Sequence, residues 1–522
     1  MAHHSSSLRI LACLLPLCGE AVAKGPTFNK DIAPIIHENC TGCHRPGQSG
    51  PFSLITYRDV KRRSGTIEEV VTDRYMPPWK PVNGEVHYAN DRRLSKAEIE
   101  LLTAWVEADC PEGDPEEAPV PPKYPSDWYL GPPDMVVTMN GRYEVPADGP
   151  DIYRSFVFPL DLPEDKWVKA VELRPKAKSS VHHALFFIDG NKNARRMDGR
   201  DGKAGLKGMG FLRGQVERGT DPAASAFSGA GGLGGHVPGA TPARLPGDLA
   251  MFLPAGSDVV MQTHFHPSGK KEVEQAELAL YFADAPPEKE LVPIQIPPAF
   301  GRTMGIDVPP GEKEYVVEDS LTLPVPVEGV LVGGHAHYIC SKMRMTAALP
   351  DGKTLVLLDI DDWDLDWQDR YHFQKPIDLP AGTVLSTRLV YDNSATNPEN
   401  PFDPPQRIKW GRESTDEMGS ITLTVVPKNG DDAPKLEDAI SEHLRESGRK
   451  AVRRAIGDRM PKVDVFSYDT NNDGKIQKGE IPLRSRKWVL RGLDKDGNEI
   501  IEGDELEQLS EFFGGKGEEE ES

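Results

Sequence analysis

Three histidine groups in the middle of the chain constrain it most. In Gly333-Gly334-His335-Ala336-His337 two imidazoles lie one residue apart. Side chains spaced by two leave the same face of a β-strand, so this pair can converge on one metal ion. His264 and His266 repeat the spacing within Met261-Gln262-Thr263-His264-Phe265-His266-Pro267. The doublet His182-His183 is different, because adjacent residues on a regular strand face opposite ways. If both bind one ion, the strand must end or bulge there. His264 would then complete a three-histidine set. His335 and His337 need a third ligand, and Met418 in Ser414-Thr415-Asp416-Glu417-Met418 is the candidate. Imidazole with thioether favours copper, especially Cu(I). A hydrogen-bonded pair is the plainer reading of any single group, and a core position that of Met418. Three groups in strand-like settings shift the balance toward metal.

At 522 residues the chain exceeds one core, and its 49 glycines and 47 prolines suit short strands and turns. The formal charge of -21 disfavours nucleic acid as a partner, since phosphate binding needs clustered Lys and Arg. Residues 1–23 read as a secretory signal: Arg9, an apolar run from Ile10 to Leu17, then Ala21-Val22-Ala23. No later apolar run approaches the ~18 residues that span a bilayer. The mature protein is expected to be exported, with no transmembrane segment. Cys40, Cys43, Cys110 and Cys340 then remain, too few for a dense disulfide framework; Cys110 and Cys340 either pair or stay free.

Residues 24–115 carry Cys40-Thr41-Gly42-Cys43-His44, whose thiols can bond haem vinyl groups while the histidine reaches iron. A zinc or redox cysteine pair is the alternative. An apolar helix, Phe28 to Ile36, runs into the motif, and a second helix, Ser95 to Ala108, is apolar at Ile99, Leu102 and Trp105. The segment resembles a small class I cytochrome c domain. That resemblance implies His44 as proximal and Met76 as distal iron ligand, with His87 competing for the distal place. Covalent haem also implies a compartment that attaches it, most simply a bacterial periplasm.

A proline- and acid-rich linker, 116–128, precedes two strand-rich regions, 129–287 and 288–428, which read as antiparallel sandwiches. Their strands include 135–137, 155–158, 167–173, 258–262, 329–332, 342–348, 354–359 and 383–390. Ser228 to Gly235 reads as a loop, either lid or slack. A linker or helix, 429–462, follows.

From about Tyr129 to Pro427 the chain resembles the copper type II, ascorbate-dependent monooxygenases, the family of peptidylglycine α-hydroxylating and dopamine β-monooxygenases. The resemblance rests on the His-His doublet, the Gln262-x-His264 strand, the His335-x-His337 strand and the Ser-Thr-Asp-Glu-Met segment, in the family's order. It implies two jelly-roll-like β-sandwiches facing across a solvent-filled cleft. His182, His183 and His264 would hold an electron-storing copper, and His335, His337 and Met418 the copper where O2 reacts. The animal enzymes' disulfides are missing, Cys340 being the sole cysteine of this region, and His236 and His266 are additional histidines. His266 is thus an alternative or aid to His264.

Residues 463–513 hold two acidic loops. Asp469, Asn471, Asp473, the Lys475 carbonyl and Glu480 fit a twelve-residue EF-hand calcium loop with Gly474 at its sixth position. Asp494, Asp496, Asn498, the Ile500 carbonyl and Glu505 fit a second, but Glu499 stands where glycine is expected, which strains the turn. A tail, 514–522, is acidic. The expected fold class is therefore multidomain: a small all-α cytochrome c domain, two antiparallel jelly-roll-like copper sandwiches and a small α-helical EF-hand pair. The expected function is an exported copper-dependent monooxygenase that hydroxylates a C–H bond of a small molecule or peptide with O2. Two copper ions, covalent haem c and calcium are the expected cofactors, and electrons come from a periplasmic donor through the haem. The alternative is a non-hydroxylating copper and haem electron-transfer or binding protein.

Overall fold

Capping chemistry starts the helices of the N-terminal region. In the computed structural model, Thr56 and Asp59 form a capping box for α2 (Tyr57–Lys61), and Ser95 and Glu98 form another for α4 (Lys96–Glu107). A π-helical turn (Phe28–Ile32), α1 (Ala33–Asn39) and α3 (Ser64–Thr72) complete the set. The expected Ser95–Ala108 helix is present, with Leu102 and Trp105 buried against Phe28, Ile32 and Ile36. The structure describes residues 25–46, 48, 50–82, 84–89, 91–124, 128–207, 233–237, 242–457 and, beyond these, 468–471, 473, 475–483, 486, 489–490, 494, 497–502 and 505. The signal segment, most of the Ser228–Gly235 stretch, Gly474, Asp496 and the acidic tail lie outside the described residues.

Strands β1 (Met135–Thr138), β2 (Tyr143–Val145), β3 (Ile152–Phe158), β4 (Lys166–Arg174), β5 (Val181–Asp189) and β6 (Leu206–Lys207) come first. After a short α5 (Asn193–Met197) between β5 and β6, the chain adds β7 (Gly235–His236), β8 (Met251–Leu253), β9 (Asp258–Phe265), β10 (Glu272–Glu274) and β11 (Glu277–Phe282). These form two main antiparallel sheets, β1-β11-β4-β8 and β6-β3-β9-β5-β7. The next set is β12 (Val292–Ile296), β13 (Asp307–Val308), β14 (Tyr315–Thr322), β15 (Val327–Ala336) and β16 (Cys340–Ala348). It continues with β17 (Thr354–Ile360), β18 (Arg370–Leu379), β19 (Val384–Tyr391), β20 (Ile408–Lys409) and β21 (Gly419–Pro427). Their main sheets run β12-β21-β15-β18 and β14-β19-β16-β17. A long helix, α6 (Ala433–Gly457), follows. Among the described residues pairing does not cross between the two sets; the second set shares one apolar core, and the first has a main core with two smaller clusters, around Val157 and Phe187 and around Ala170 and Tyr281.

The expected fold class needs correction. Among the described residues strand outweighs helix, 32% against 20%. Residues up to Gly448 make one compact unit built on four sheets of four or five strands, not a separate all-α domain followed by two separate sandwiches. The physical reason lies in residues 79–93, which bind the N-terminal helices to the second set of strands. Tyr88 forms a β-bridge with Phe373, Ala89 N–H donates to His372 O (2.7 Å), and Gln374 N–H donates to His87 O (2.8 Å). Val86 and Tyr88 are buried in the same core as Leu357, Tyr371 and Phe373, and the Tyr88 hydroxyl donates to Leu357 O (2.8 Å). Lys80 pairs with Asp362 (3.0 Å) and Arg92 with Asp369 (2.8 Å). The helices are thus docked, not merely tethered.

The second unit starts at Arg449. Beyond α6 its described residues include an antiparallel ribbon, β22 (Ile476–Gln477) and β23 (Ile500–Ile501), and helical positions at Leu483, Arg486, Val489 and Leu490, so the expected purely helical EF-hand pair is corrected to a small mixed unit. Cys110 and Cys340 are buried free thiols in different cores, which removes their pairing as an option. Among the described residues no helix is long and apolar enough to cross a membrane.

Tyr88→Ala should lower the stability of the whole unit by about 3 kcal/mol, as expected for losing a large buried aromatic. Chemical denaturation should show one shifted transition. A separate N-terminal transition, with the remainder unmoved, would mean that the helices are only tethered.

Candidate metal centre

β5 and β9 are neighbours in register, with His183 opposite His264. The ladder slips between Val181 and His183, so His182 sits in a bulge, the irregularity that the doublet requires. One ligand atom from each of His182, His183 and His264 lies within 4.8 Å of the others. His183 Nδ1 and His264 Nδ1 are 3.4 Å apart, and His182 Nδ1 is buried with no hydrogen-bond partner. Two nitrogens each at 2.0–2.1 Å from a tetrahedral ion would be about 3.3 Å apart, so the spacing suits a shared cation.

Asp151 orients this set. One carboxylate oxygen meets His264 Nε2 at 2.7 Å and the other His266 Nδ1 at 2.8 Å. An Nε2–H donated to Asp151 leaves the His264 Nδ1 lone pair directed at the other imidazoles. Burial opposes the Asp151 charge, but the bonds from His264 and His266 prevail and hold the carboxyl down at about 2. His266 is exposed and acts on Asp151, so it does not replace His264. The Tyr153 ring stacks on His264, 4.4 Å between centroids. Asp366 Oδ1 lies 3.6 Å from His182 Nδ1 and 3.9 Å from His264 Nδ1, a fourth donor at the edge. Burial lowers His182 to about 4 and His183 well below its usual range, so both imidazoles are neutral at pH 7 and able to ligate.

The second set is built where β15 ends. His335 pairs with Ser420 on β21, two residues from Met418, and this register brings His335 Nε2 to 3.2 Å from Met418 Sδ. The His337 ring lies 5.5 Å from the His335 ring, and its Nδ1 is 3.2 Å from Asp416 O. An Nδ1–H donated to that carbonyl leaves Nε2 to ligate. Burial lowers both imidazoles, His337 to about 3. Glu417 is fully buried and accepts the backbone N–H groups of His337 (2.7 Å) and Met418 (2.8 Å), tying two donors to one carboxylate. Burial raises that carboxyl to about 8.

One side chain joins the sets. Gln368 Oε1 accepts from His335 Nδ1, while its Nε2 donates to Leu365 O (2.9 Å) and lies 3.5 Å from His183 Nε2. Gln368 is 8% exposed. Where the family resemblance implies a solvent-filled cleft, a buried amide spans the two histidine groups. Three imidazoles in one set and two imidazoles with a thioether in the other suit copper, the second especially Cu(I).

The Cys40–His44 turn follows α1. Cys40 and Cys43 are unpaired by disulfide, and burial, with Cys43 nearby, pushes the Cys40 thiol up to about 12. A redox-active pair needs a lowered thiol, which Cys40 does not supply. His44 Nδ1 lies 3.3 Å from Phe52 O, which leaves Nε2 for iron, and Gly50 packs so close that a Cβ there would meet Cys43 O and His44 Nδ1 at 2.8 Å. Met76 follows α3, half-buried, with its N–H on Val70 O (3.0 Å); no hydrogen bond joins its sulfur to His44. His87 is exposed and lies on the strand-like segment beside Gln374.

In the first acidic loop Asp473 N–H donates to Asp469 Oδ1 (3.1 Å) and Asn471 Oδ1 (2.8 Å), and Lys475 N–H donates to Asp473 Oδ1 (3.0 Å). Glu480 folds back onto Thr470 N–H (3.1 Å) and Gln477 N–H (2.8 Å). In the second, Asp494 accepts from Glu499 N–H (2.9 Å) and Asn498 from Ile500 N–H (2.7 Å), while Glu505 Oε2 lies 3.4 Å from Glu502 N–H. Glu499 has φ +64°, the strained left-handed position expected of a missing glycine.

No family model matches the chain, and no curated protein matches it. Among solved structures, the major capsid protein P2 of bacteriophage PM2 covers 57% of this chain and 99% of its own, at 10% identity and TM-score 0.21. The peptide-N(4)-(N-acetyl-β-D-glucosaminyl)asparagine amidase covers 56% and 97%, at 10% identity and TM-score 0.24. Likenesses this low support no conclusion on fold or activity.

Asp151→Asn should weaken Cu2+ or Zn2+ binding at the three-histidine set by about 10–100-fold, the usual effect of removing a histidine-orienting carboxylate. A competition titration with a chromophoric chelator measures it. Unchanged affinity would remove Asp151 from the site.

Proposed function

We propose that the chain is a copper-dependent monooxygenase which hydroxylates a C–H bond with O2, in the manner of the ascorbate-dependent copper family it resembles. The observation that carries the reading is the pairing of a three-histidine set with a His-His-Met set through one buried Gln368 amide. Copper bound at the two sets would supply electrons and a place for O2, giving R–H + O2 + 2 e− + 2 H+ → R–OH + H2O. The protein's own part is to hold neutral imidazoles with their ligating nitrogens turned inward. Asp151, Gln368 and the Asp416 carbonyl do so by engaging the opposite ring nitrogens. Burial of His183, His264 and His337 excludes bulk water from the donors.

A c-type haem on Cys40, Cys43 and His44, with Met76 as distal ligand, is the proposed entry point for electrons from a periplasmic donor. Calcium at the 469–480 and 494–505 loops is proposed as structural. The setting is the bacterial periplasm or cell envelope, where covalent haem is attached.

Periplasmically matured protein should hold two coppers per haem. Met418→Ala should keep the copper at the histidine triad, lose Cu(I) retention at the second set and cut substrate-dependent O2 uptake by about 100-fold or more. One copper or none, or O2 uptake indifferent to Met418, would contradict the reading and favour a binding or electron-transfer role.

A further inference from the structure

A cavity of about 190 Å³ is lined by residues from Trp79 to His372 and meets the paired histidine sets through Gln368. Leu185, Leu233, Met251 and Leu331 give it apolar walls. Trp79 and Arg92, from the docked N-terminal segment, close another side. Both carry a buried N–H with no hydrogen-bond partner, Trp79 Nε1 and Arg92 Nε. A buried donor left unpaired costs about 1–3 kcal/mol, so two on one small cavity ask for an acceptor.

The charge balance says which acceptor. Among the described lining residues Arg92 and Lys169 bring positive charge, and the carboxylate is Asp369. Both Asp369 oxygens are already engaged, one by Arg92 Nη2 (2.8 Å) and one by the Arg370 N–H (2.8 Å). Size narrows the ligand further. A cavity of about 150 Å³ takes benzene, whereas sites for drug-sized molecules start at about 300 Å³. A peptide of several residues does not fit.

We infer that this cavity is a binding site for a small carboxylate with an apolar body, its anionic end on Trp79 Nε1–H and Arg92 Nε–H and its body against Leu185, Leu233, Met251 and Leu331. The site stands on its own donors and goes beyond the monooxygenase reading, because Gln368 reaches it from the side of the ring nitrogens turned away from the ligating ones. It also gives the N-terminal segment a second task, since the pocket is incomplete without Trp79 and Arg92. Docking of that segment, through Trp79 on Tyr371 (5.2 Å between rings) and Arg92 on Asp369, is therefore part of ligand recognition.

Calorimetric titration of the full-length protein with benzoate and with benzyl alcohol tests this, in copper-loaded and chelator-stripped forms. Trp79→Phe removes the donor and keeps the ring, and Arg92→Lys keeps the charge facing Asp369 and removes Nε–H. Benzoate should bind at least about tenfold more tightly than benzyl alcohol, and each variant should bind benzoate about tenfold more weakly, the effect of one charge-assisted hydrogen bond. Equal binding of the two probes, no binding of either, or variants that match the parent would overturn the pocket, whose unpaired donors would then serve water alone. Binding does not need copper. Selective benzoate binding by a chain that holds fewer than two coppers would uphold the pocket and sink the monooxygenase reading, while two coppers without benzoate binding would do the reverse.

Discussion

A buried imidazole has two nitrogens to satisfy, and the centre of this protein is organised by how it meets that demand. Three of the clustered histidines each spend one ring nitrogen on a fixed acceptor: His264 on Asp151, His335 on Gln368, His337 on the Asp416 carbonyl. The opposite nitrogens are left in two clusters. Without a cation, the 3.4 Å approach of His183 Nδ1 and His264 Nδ1 sets two nitrogens together in a water-poor site beside an unpartnered His182 Nδ1. With a cation, all three lone pairs have a common use.

That arrangement depends on register at two places far apart in sequence. The bulge in β5 turns His182 toward His183 and His264, and the β15–β21 ladder sets His335 against Met418. Neither set by itself defines the centre. Gln368, from the turn before β18, links them, and β18 is also the strand on which the N-terminal segment docks through Tyr88 and Phe373. One strand therefore relates the paired sets, the cavity and the N-terminal segment around Tyr88, in keeping with residues up to Gly448 forming one unit.

Much of the site was legible because its signals are periodic or contiguous. A doublet announces a bulge, which is present, whereas the two His-x-His pairs straddle strand ends, β15 stopping at Ala336 and β9 at Phe265. The Ser95 cap and the Ile99-Leu102-Trp105 spacing located α4 to within a residue. Glu499 in the sixth loop position foretold its positive φ. Asp151, Asp366 and Gln368 were not legible. Each is a lone polar residue outside any repeat, and only tertiary folding brings Asp151 to His264, 113 residues away. The independence of the helical region was misjudged for a similar reason: the bridge from Tyr88 to Phe373 is too short to leave a periodic pattern, yet it places Val86 and Tyr88 in a distant core. The acidic loops were read from a twelve-residue pattern, but the expected helical pair around them was an extrapolation.

Anomalous diffraction at the copper edge, from crystals of the copper-loaded full-length protein, tests the central claim most directly. The account predicts two copper peaks per chain on opposite sides of the Gln368 amide, one among His182, His183 and His264 and one among His335, His337 and Met418. A single peak, or copper held elsewhere with both histidine sets empty, would contradict it.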